Sequence, residues 1–178
     1  MSVHIDLVDE TELASPAARS RFYATVASPV GELLLLSDGV ALTGLYMSAN
    51  RFSPQISAAM RQDRAPFGEA LRQLRAYFDH QLTAFELPIA PYGTPFQRRV
   101  WQALLAIPYG QTTSYGQLAH LLGDARAGRA VGHANARNPL ALIVPCHRVI
   151  SSSGRLTGYA GGVEQKQWLL AHEAVAAR

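Results

Sequence analysis

The chain has 178 residues, 48% apolar and 16% charged, the composition of a soluble globular protein with room for one ordinary domain or two small ones, and no apolar run approaches the roughly 20 residues that span a bilayer. Its single cysteine excludes an internal disulfide, and the acidic stretch Met1 to Glu10 lacks the basic-then-apolar order of a secretory signal, so a reducing cytoplasm is the expected location. The net charge of +3 divides near Pro91 into −3 over residues 1–91 (7 Arg against 10 Asp and Glu) and +6 over residues 92–178 (9 Arg and Lys against 3 acids), an asymmetry that fits either a polyanion partner for the second half or a merely solvated basic face.

Phe22–Ala27, Leu33–Ser37 and Leu42–Met47 read as strands of a short antiparallel meander, separated by the turn signals Ser28-Pro29-Val30-Gly31 and Ser37-Asp38-Gly39. Residues 50–66 are polar and hold Pro54 and Pro66, so they read as loop with at most one helical turn. Phe67, Ala70, Leu71, Leu74, Tyr77 and Phe78 then share one face of a helix. This half names no site and reads as a small α+β scaffold. Leu87–Pro95, with three prolines and a glycine, marks the boundary between domains 1–91 and 92–178.

Beyond it the pattern turns helical. Thr94 can cap a helix with Pro95 at its first position that runs to about Ala106, where Pro108-Tyr109-Gly110 breaks it. Ser114 and Gln117 form a capping box for a helix from Tyr115 to Leu122, stopped by Gly123. Asp124 can cap the next, from about Ala125 to Ala136, before Asn138-Pro139 ends it. Two short helices joined by a tight glycine turn are the outline of a helix-turn-helix. The second carries Gly128 and Gly132, each of which costs a helix about 1 kcal/mol against Ala. Small residues there permit close backbone approach, either of a neighbouring helix or, with Arg129 as the long cation among them, of DNA.

Leu140–Val144 is an apolar run of the kind that forms a buried strand, and Pro145 restricts Val144 to extended geometry. Cys146, His147 and Arg148 follow directly, so a buried segment is expected to deliver a thiol, an imidazole and a guanidinium to a rim. A cytosolic cysteine is most often an inert core thiol, but polar, cation-capable neighbours favour the nucleophilic thiolate.

Pro145-Cys146-His147-Arg148-Val149 resembles the active-site signature of the O6-alkylguanine-DNA alkyltransferases. The likeness extends from Thr94-Pro-Phe-Gln-Arg-Arg-Val-Trp101 through Ile107-Pro-Tyr-Gly110, Ser114-Tyr115, Arg129-Ala-Val-Gly132, Asn138-Pro139 and Tyr159-Ala-Gly-Gly162 to Trp168-Leu-Leu-Ala-His-Glu173. Residues 1–91 match only loosely. The fold implied is α+β: a small N-terminal antiparallel sheet with helices, followed by a mainly helical, winged-helix-like domain with a helix-turn-helix. The activity implied is single-turnover transfer of an alkyl group from O6 of a flipped-out guanine to Cys146, since the thioether product has no carbonyl for water to attack.

By the same resemblance His147 takes the thiol proton through a water, Glu173 orients that imidazole, and Tyr115 donates to N3 of the leaving base. Asn138 braces the turn between the helix-turn-helix and the active-site segment. Backbone around Cys146, Val149, Tyr159 and Ala160 reads the guanine edges. Arg129 fills the space the base vacates, while Ala130 and Gly132 let the recognition helix into the minor groove; Thr112 and Arg148 join this DNA-facing set. The partner implied is duplex DNA carrying O6-alkylguanine, with O4-alkylthymine left open, and the protein is expected to be a monomer. No cofactor and no metal are expected: residues 1–91 lack cysteine and the six histidines show no paired spacing. Ala160 departs from the serine of many relatives. Two rivals remain, a damage-binding protein without transfer, against which Cys146 argues, and a cysteine hydrolase, which leaves the helix-turn-helix unexplained.

Overall fold

Two seven-residue strands, β1 (Phe22–Ser28) and β2 (Gly31–Ser37), pair antiparallel from Phe22↔Ser37 to Ser28↔Gly31. The turn between them closes through Ser28, whose hydroxyl donates to the Gly31 carbonyl at 2.6 Å and accepts the Val30 N–H at 3.2 Å. Gly31 sits at φ +97°, where a side chain would be strained. In this computed structural model, which describes residues 19–156 and 158–176, β3 (Leu42–Met47) continues the meander on β2.

The sheet is not purely antiparallel. β4 (Arg61–Gln62) lies parallel beside β1, giving the order β3-β2-β1-β4. The sequence reads this stretch as loop because two residues cannot show alternation. It is fixed by long-range backbone bonds, Arg61 N–H to Arg21 O and Asp63 N–H to Tyr23 O. A 3-10 turn at Ala65–Phe67 leads into α1 (Gly68–Phe78), whose buried face includes Ala70, Leu74 and Tyr77.

In the second half α2 (Pro95–Leu105) and α3 (Tyr115–Leu121) each begin with a reciprocal capping box, Thr94 with Gln97 and Ser114 with Gln117. Gly123, at φ +92°, ends the turn after α3. The recognition-type helix α4 spans Gly128–Ala136 and starts three residues later than the sequence suggests. Asp124 does not cap it: its carboxylate accepts the Arg126 N–H at 2.9 Å, and its carbonyl accepts the Ala127 N–H, stabilising a separate turn. A parallel pair, β5 (Thr113–Ser114) with β6 (Val149–Ile150), and α5 (Val163–Ala176) complete the half. The whole is α+β with a helical second half.

The two halves share one core. Leu33, Leu35, Leu45, Phe67 and Tyr77 from the first belong to the same buried cluster as Trp101, Leu104, Leu140, Val144 and Leu169 from the second. The free edge of β3 is met by Leu140: Leu45 N–H donates to Pro139 O at 2.7 Å and Ala141 N–H to Leu45 O at 3.0 Å. Leu140–Val144 is therefore buried, as its apolar run implies, but it is not a strand. Only Leu140 bridges to the sheet; Leu142 takes φ +71°, and Val144 N–H returns to Leu140 O at 2.9 Å to close a turn. No helix among the described residues is long and apolar enough to cross a membrane.

Candidate active site

Cys146 begins a 3-10 turn, Cys146–Arg148, entered from Pro145. Asn138 ties down the approach, donating to Val144 O at 2.8 Å and accepting the Leu140 N–H at 3.0 Å. Asn135, in the last turn of α4, donates to Cys146 O at 3.3 Å. The thiol is thus hung between the sheet edge and the recognition-type helix.

The three reactive residues do not reach a rim. Cys146 is 4% exposed, His147 0% and Arg148 6%. Burial pushes the Cys146 thiol above its ordinary value, and hydrogen bonding by Tyr159 and Asn138 together with the Lys166 charge offsets this only in part. The expectation that cationic neighbours favour the thiolate is corrected accordingly, because the Arg148 charge is committed elsewhere. Its Nε and a terminal nitrogen each donate to Glu173 at 2.9 Å, and the other terminal nitrogen donates to Ile107 O at 2.6 Å. Arg148 is a buried bracket and not part of a DNA-facing set.

Glu173, on α5, is the hub. Besides Arg148 it accepts the Tyr77 hydroxyl at 2.8 Å and the Gly110 N–H at 3.0 Å, and its Oε1 lies 2.8 Å from His147 Nε2. Burial works to raise its carboxyl, but hydrogen bonds from His147 and Arg148 prevail and hold it well below the usual carboxylate range. His147 goes the other way: burial lowers its pKa and the Glu173 bond restores only part, so the imidazole is neutral at neutral pH. With Nε2 facing a carboxylate, that nitrogen carries the proton by assignment from its partner. Nδ1 is then a lone-pair acceptor, buried and without a partner among the described residues.

Two tyrosines and a lysine surround the thiol. The Tyr159 hydroxyl lies 3.4 Å from Cys146 Sγ. Tyr115, the first residue of α3, is half-buried, with its phenol raised by burial and then by the charge of Cys146. Lys166 is 1% exposed. Its Nζ donates to Val149 O and stands 6.0 Å from the Tyr115 ring and 5.6 Å from the Tyr159 ring. Burial depresses its pKa and the Cys146 charge opposes that. Tyr159 and Ala160 sit on a tight turn closed by Gly162 N–H to Tyr159 O at 3.1 Å, and a Cβ on Gly161 would come within 2.8 Å of Met47 Sδ. The segment is therefore pressed onto β3.

Across α4 the exposed residues are Arg129, Ala130, His133 and the C-cap Arg137; Thr112, before β5, is also exposed. The helix glycines are not there for packing. A Cβ on Gly128 would meet nothing within 4 Å, and one on Gly132 would meet only the Tyr115 ring at 3.8 Å, an ordinary contact. Trp101 anchors the opposite face by donating to Ala134 O at 2.9 Å.

Comparison with known proteins matches residues 21–91 to the 6-O-methylguanine DNA methyltransferase ribonuclease-like domain and residues 95–175 to the 6-O-methylguanine DNA methyltransferase DNA binding domain. The chain belongs to the O6-methylguanine DNA methyltransferase family. A methylated-DNA–protein-cysteine methyltransferase of Mycolicibacterium paratuberculosis is 50% identical over 151 residues, covering 85% of this chain and 91% of the relative. One from Methanosarcina acetivorans is 46% identical over 149 residues, 84% of this chain and 96% of its own. The crystal structure of Mycobacterium tuberculosis OGT in complex with DNA superposes with TM-score 0.82 at 47% identity, over 87% of this chain and 94% of that one.

In this methyltransferase-family chain the cluster draws on both matched regions. Cys146, His147, Arg148, Tyr159, Lys166 and Glu173 come from the DNA binding domain, but Tyr77 reaches Glu173 from the ribonuclease-like one. Sequence reasoning places Tyr77 on a core face and gives it no further part, and nothing local reveals its partner 96 residues away. Lys166 did carry a signal: it lies three residues before Leu169 and seven before Glu173, a cation on the buried stripe of α5.

Proposed function

We propose that this chain repairs DNA by transferring the alkyl group of O6-alkylguanine to Sγ of its own Cys146, once per molecule. The observation that carries the reading is the unpartnered Nδ1 of His147 beside the chain's only cysteine, on an imidazole fixed from its other side by Glu173. In a site this buried a standing thiolate is disfavoured, so the proton leaves as the nucleophile is used. A water between Sγ and Nδ1 carries it to His147, and Glu173 stabilises the imidazolium that results. The Lys166 ammonium stabilises negative charge as it develops at sulfur.

The S–C bond forms as the C–O6 bond breaks, and the electron pair passes into the purine. The Tyr115 phenol donates at N3, so the base departs neutral. The thioether left on Cys146 has neither a carbonyl nor a good leaving group, which makes the event final. Substrate enters by extrusion from the stack, at a cost of a few kcal/mol. Arg129 occupies the gap, and Ala130, Gly132 and Thr112 keep the helix close to the minor groove. Val149, Tyr159 and Ala160 border the base. The partner is duplex DNA with O6-alkylguanine, and O4-alkylthymine shares the alkylated-oxygen chemistry. We further read residues 1–91 and 92–178 as the two domains of a cytoplasmic monomer.

Intact-mass measurement after incubation with excess duplex containing O6-methylguanine tests the claim. One methylene gained per chain, mapped to Cys146 and missing in Cys146→Ala, is expected. Unchanged mass despite salt-sensitive DNA binding would overturn it in favour of a damage-binding protein.

A further inference from the structure

The loop that follows β3 approaches the end of α4 at a cluster that the chemistry at Cys146 does not use. Phe52 is half-buried, and two guanidinium groups lie over its ring: Arg51, with Cζ 4.8 Å from the centroid, and Arg137, at 4.2 Å. Arg137 is the C-cap of α4, whereas Arg51 belongs to the acidic first half. The two cations are therefore no more than 9 Å apart. Among the described residues neither pairs with a carboxylate.

The support beneath them is built. Asn50 is 8% exposed; its side chain accepts the Phe52 N–H at 2.9 Å, its own N–H donates to Met47 O, and its carbonyl accepts the Ser53 N–H. The loop is thus pinned to the end of β3, and the ring is fixed before any ligand arrives. A phenyl face attracts one guanidinium and accommodates a second, but two like charges without a counter-charge call for an anion. The patch also continues the exposed stripe Arg129, His133, Arg137, which repeats every four residues along one side of α4.

We propose that Arg51 and Arg137, mounted on Phe52, form a clamp for a backbone phosphate of the DNA flanking the lesion, so that the first half of the chain takes part directly in DNA binding. This rests on the reading that α4 faces duplex DNA. Charge complementarity and continuity with that helix select the phosphate backbone as occupant. Guanidinium pairs suit phosphate through their forked donors, and the contact carries no base specificity.

The test is fluorescence anisotropy with an undamaged duplex across a salt series, on wild type, Arg51→Gln, Arg137→Gln, Phe52→Leu and Arg129→Ala, with melting temperature as the check on folding. Losing one phosphate contact reduces the slope of log K against log salt by roughly 0.9, which is about an eightfold weaker Kd at 0.1 M salt. Arg51→Gln and Arg137→Gln should each show this, Phe52→Leu a smaller loss, and Arg51→Lys should recover the slope. Should Arg137→Gln lower the melting temperature, Arg51→Gln carries the test, since its side chain is exposed on a loop. Weakening by Arg129→Ala together with wild-type slopes for Arg51→Gln overturns the clamp and leaves the proposed function standing. Salt-independent or absent binding by the wild type overturns the DNA reading itself.

Discussion

Replacing Tyr77 by Phe removes one oxygen from a fully buried site and leaves the ring's packing against Phe85 and Tyr109 in place. The lost bond is the 2.8 Å donation to Glu173, an ionised acceptor, and bonds to charged groups contribute about 1.5–3 kcal/mol. Glu173 keeps four other contacts, from Gly110, His147 and two Arg148 nitrogens, so no charge is orphaned and the lower part of that range applies. About 1.5–2 kcal/mol at roughly 2–4 °C per kcal/mol for a chain of this size gives a melting temperature about 3–8 °C lower. Alkyl transfer should slow by no more than about tenfold, because Tyr77 acts on the reaction only through Glu173. Circular-dichroism melting and single-turnover rates on the same preparation give both quantities. A melting point within about 1 °C of wild type would refute the claim that the first half of the chain braces the Glu173 carboxylate.

Stability should fall with acid. His147 and His172 have folded pKa values held below the ordinary imidazole by burial, so their contribution is complete above about pH 6.5 and is lost as pH falls and the unfolded chain takes up protons first. Glu173, also depressed, adds loss of the same sign below about pH 4.3; urea unfolding that is no easier at pH 5.5 than at 7.5 would contradict a buried neutral His147. Asn138→Ala strands the Leu140 N–H in the interior, at about 1–3 kcal/mol, while the Val144 carbonyl keeps the Cys146 N–H at 2.8 Å, and a loss below about 1 kcal/mol by urea titration would show that the brace is dispensable. Gly132→Ala should raise stability by about 1 kcal/mol while weakening affinity for duplex DNA; equal affinity would mean that the helix does not press against its partner. Lys166→Met should shift the pH midpoint of Cys146 labelling by a thiol reagent upward, and an unmoved midpoint would show that the ammonium leaves the thiol unaffected.

Much of this arrangement is legible in the sequence because it is written locally. Capping boxes at Thr94 and Ser114, the meander from Phe22 to Met47 and the run from Pro145 to Val149 depend on residues within a few positions of one another. What escapes is long-range. Arg61–Gln62 becomes a strand only because Arg21 and Tyr23 receive it. Leu140–Val144 has strand composition, but Asn138 and the edge of β3 bend it into a turn. Arg148 looks like a surface cation beside a thiol until Glu173, 25 positions on, draws it inside. That Cys146 follows a buried segment is readable, whereas its burial short of a rim and its titration are not, because proximity in sequence to a cation says nothing about where that cation's charge is directed.

In the proposed reaction each chain acts once, so its thiol must not be wasted. The thiol of Cys146 is 4% exposed and displaced by burial toward its protonated form, and peroxides and stray electrophiles attack thiolates that solvent can reach. The same enclosure that calls for a base at His147 in the proposed reaction also shields the sulfur between encounters. Selectivity in such a protein begins with refusal: every molecule consumed by the wrong electrophile would be one lesion left in place.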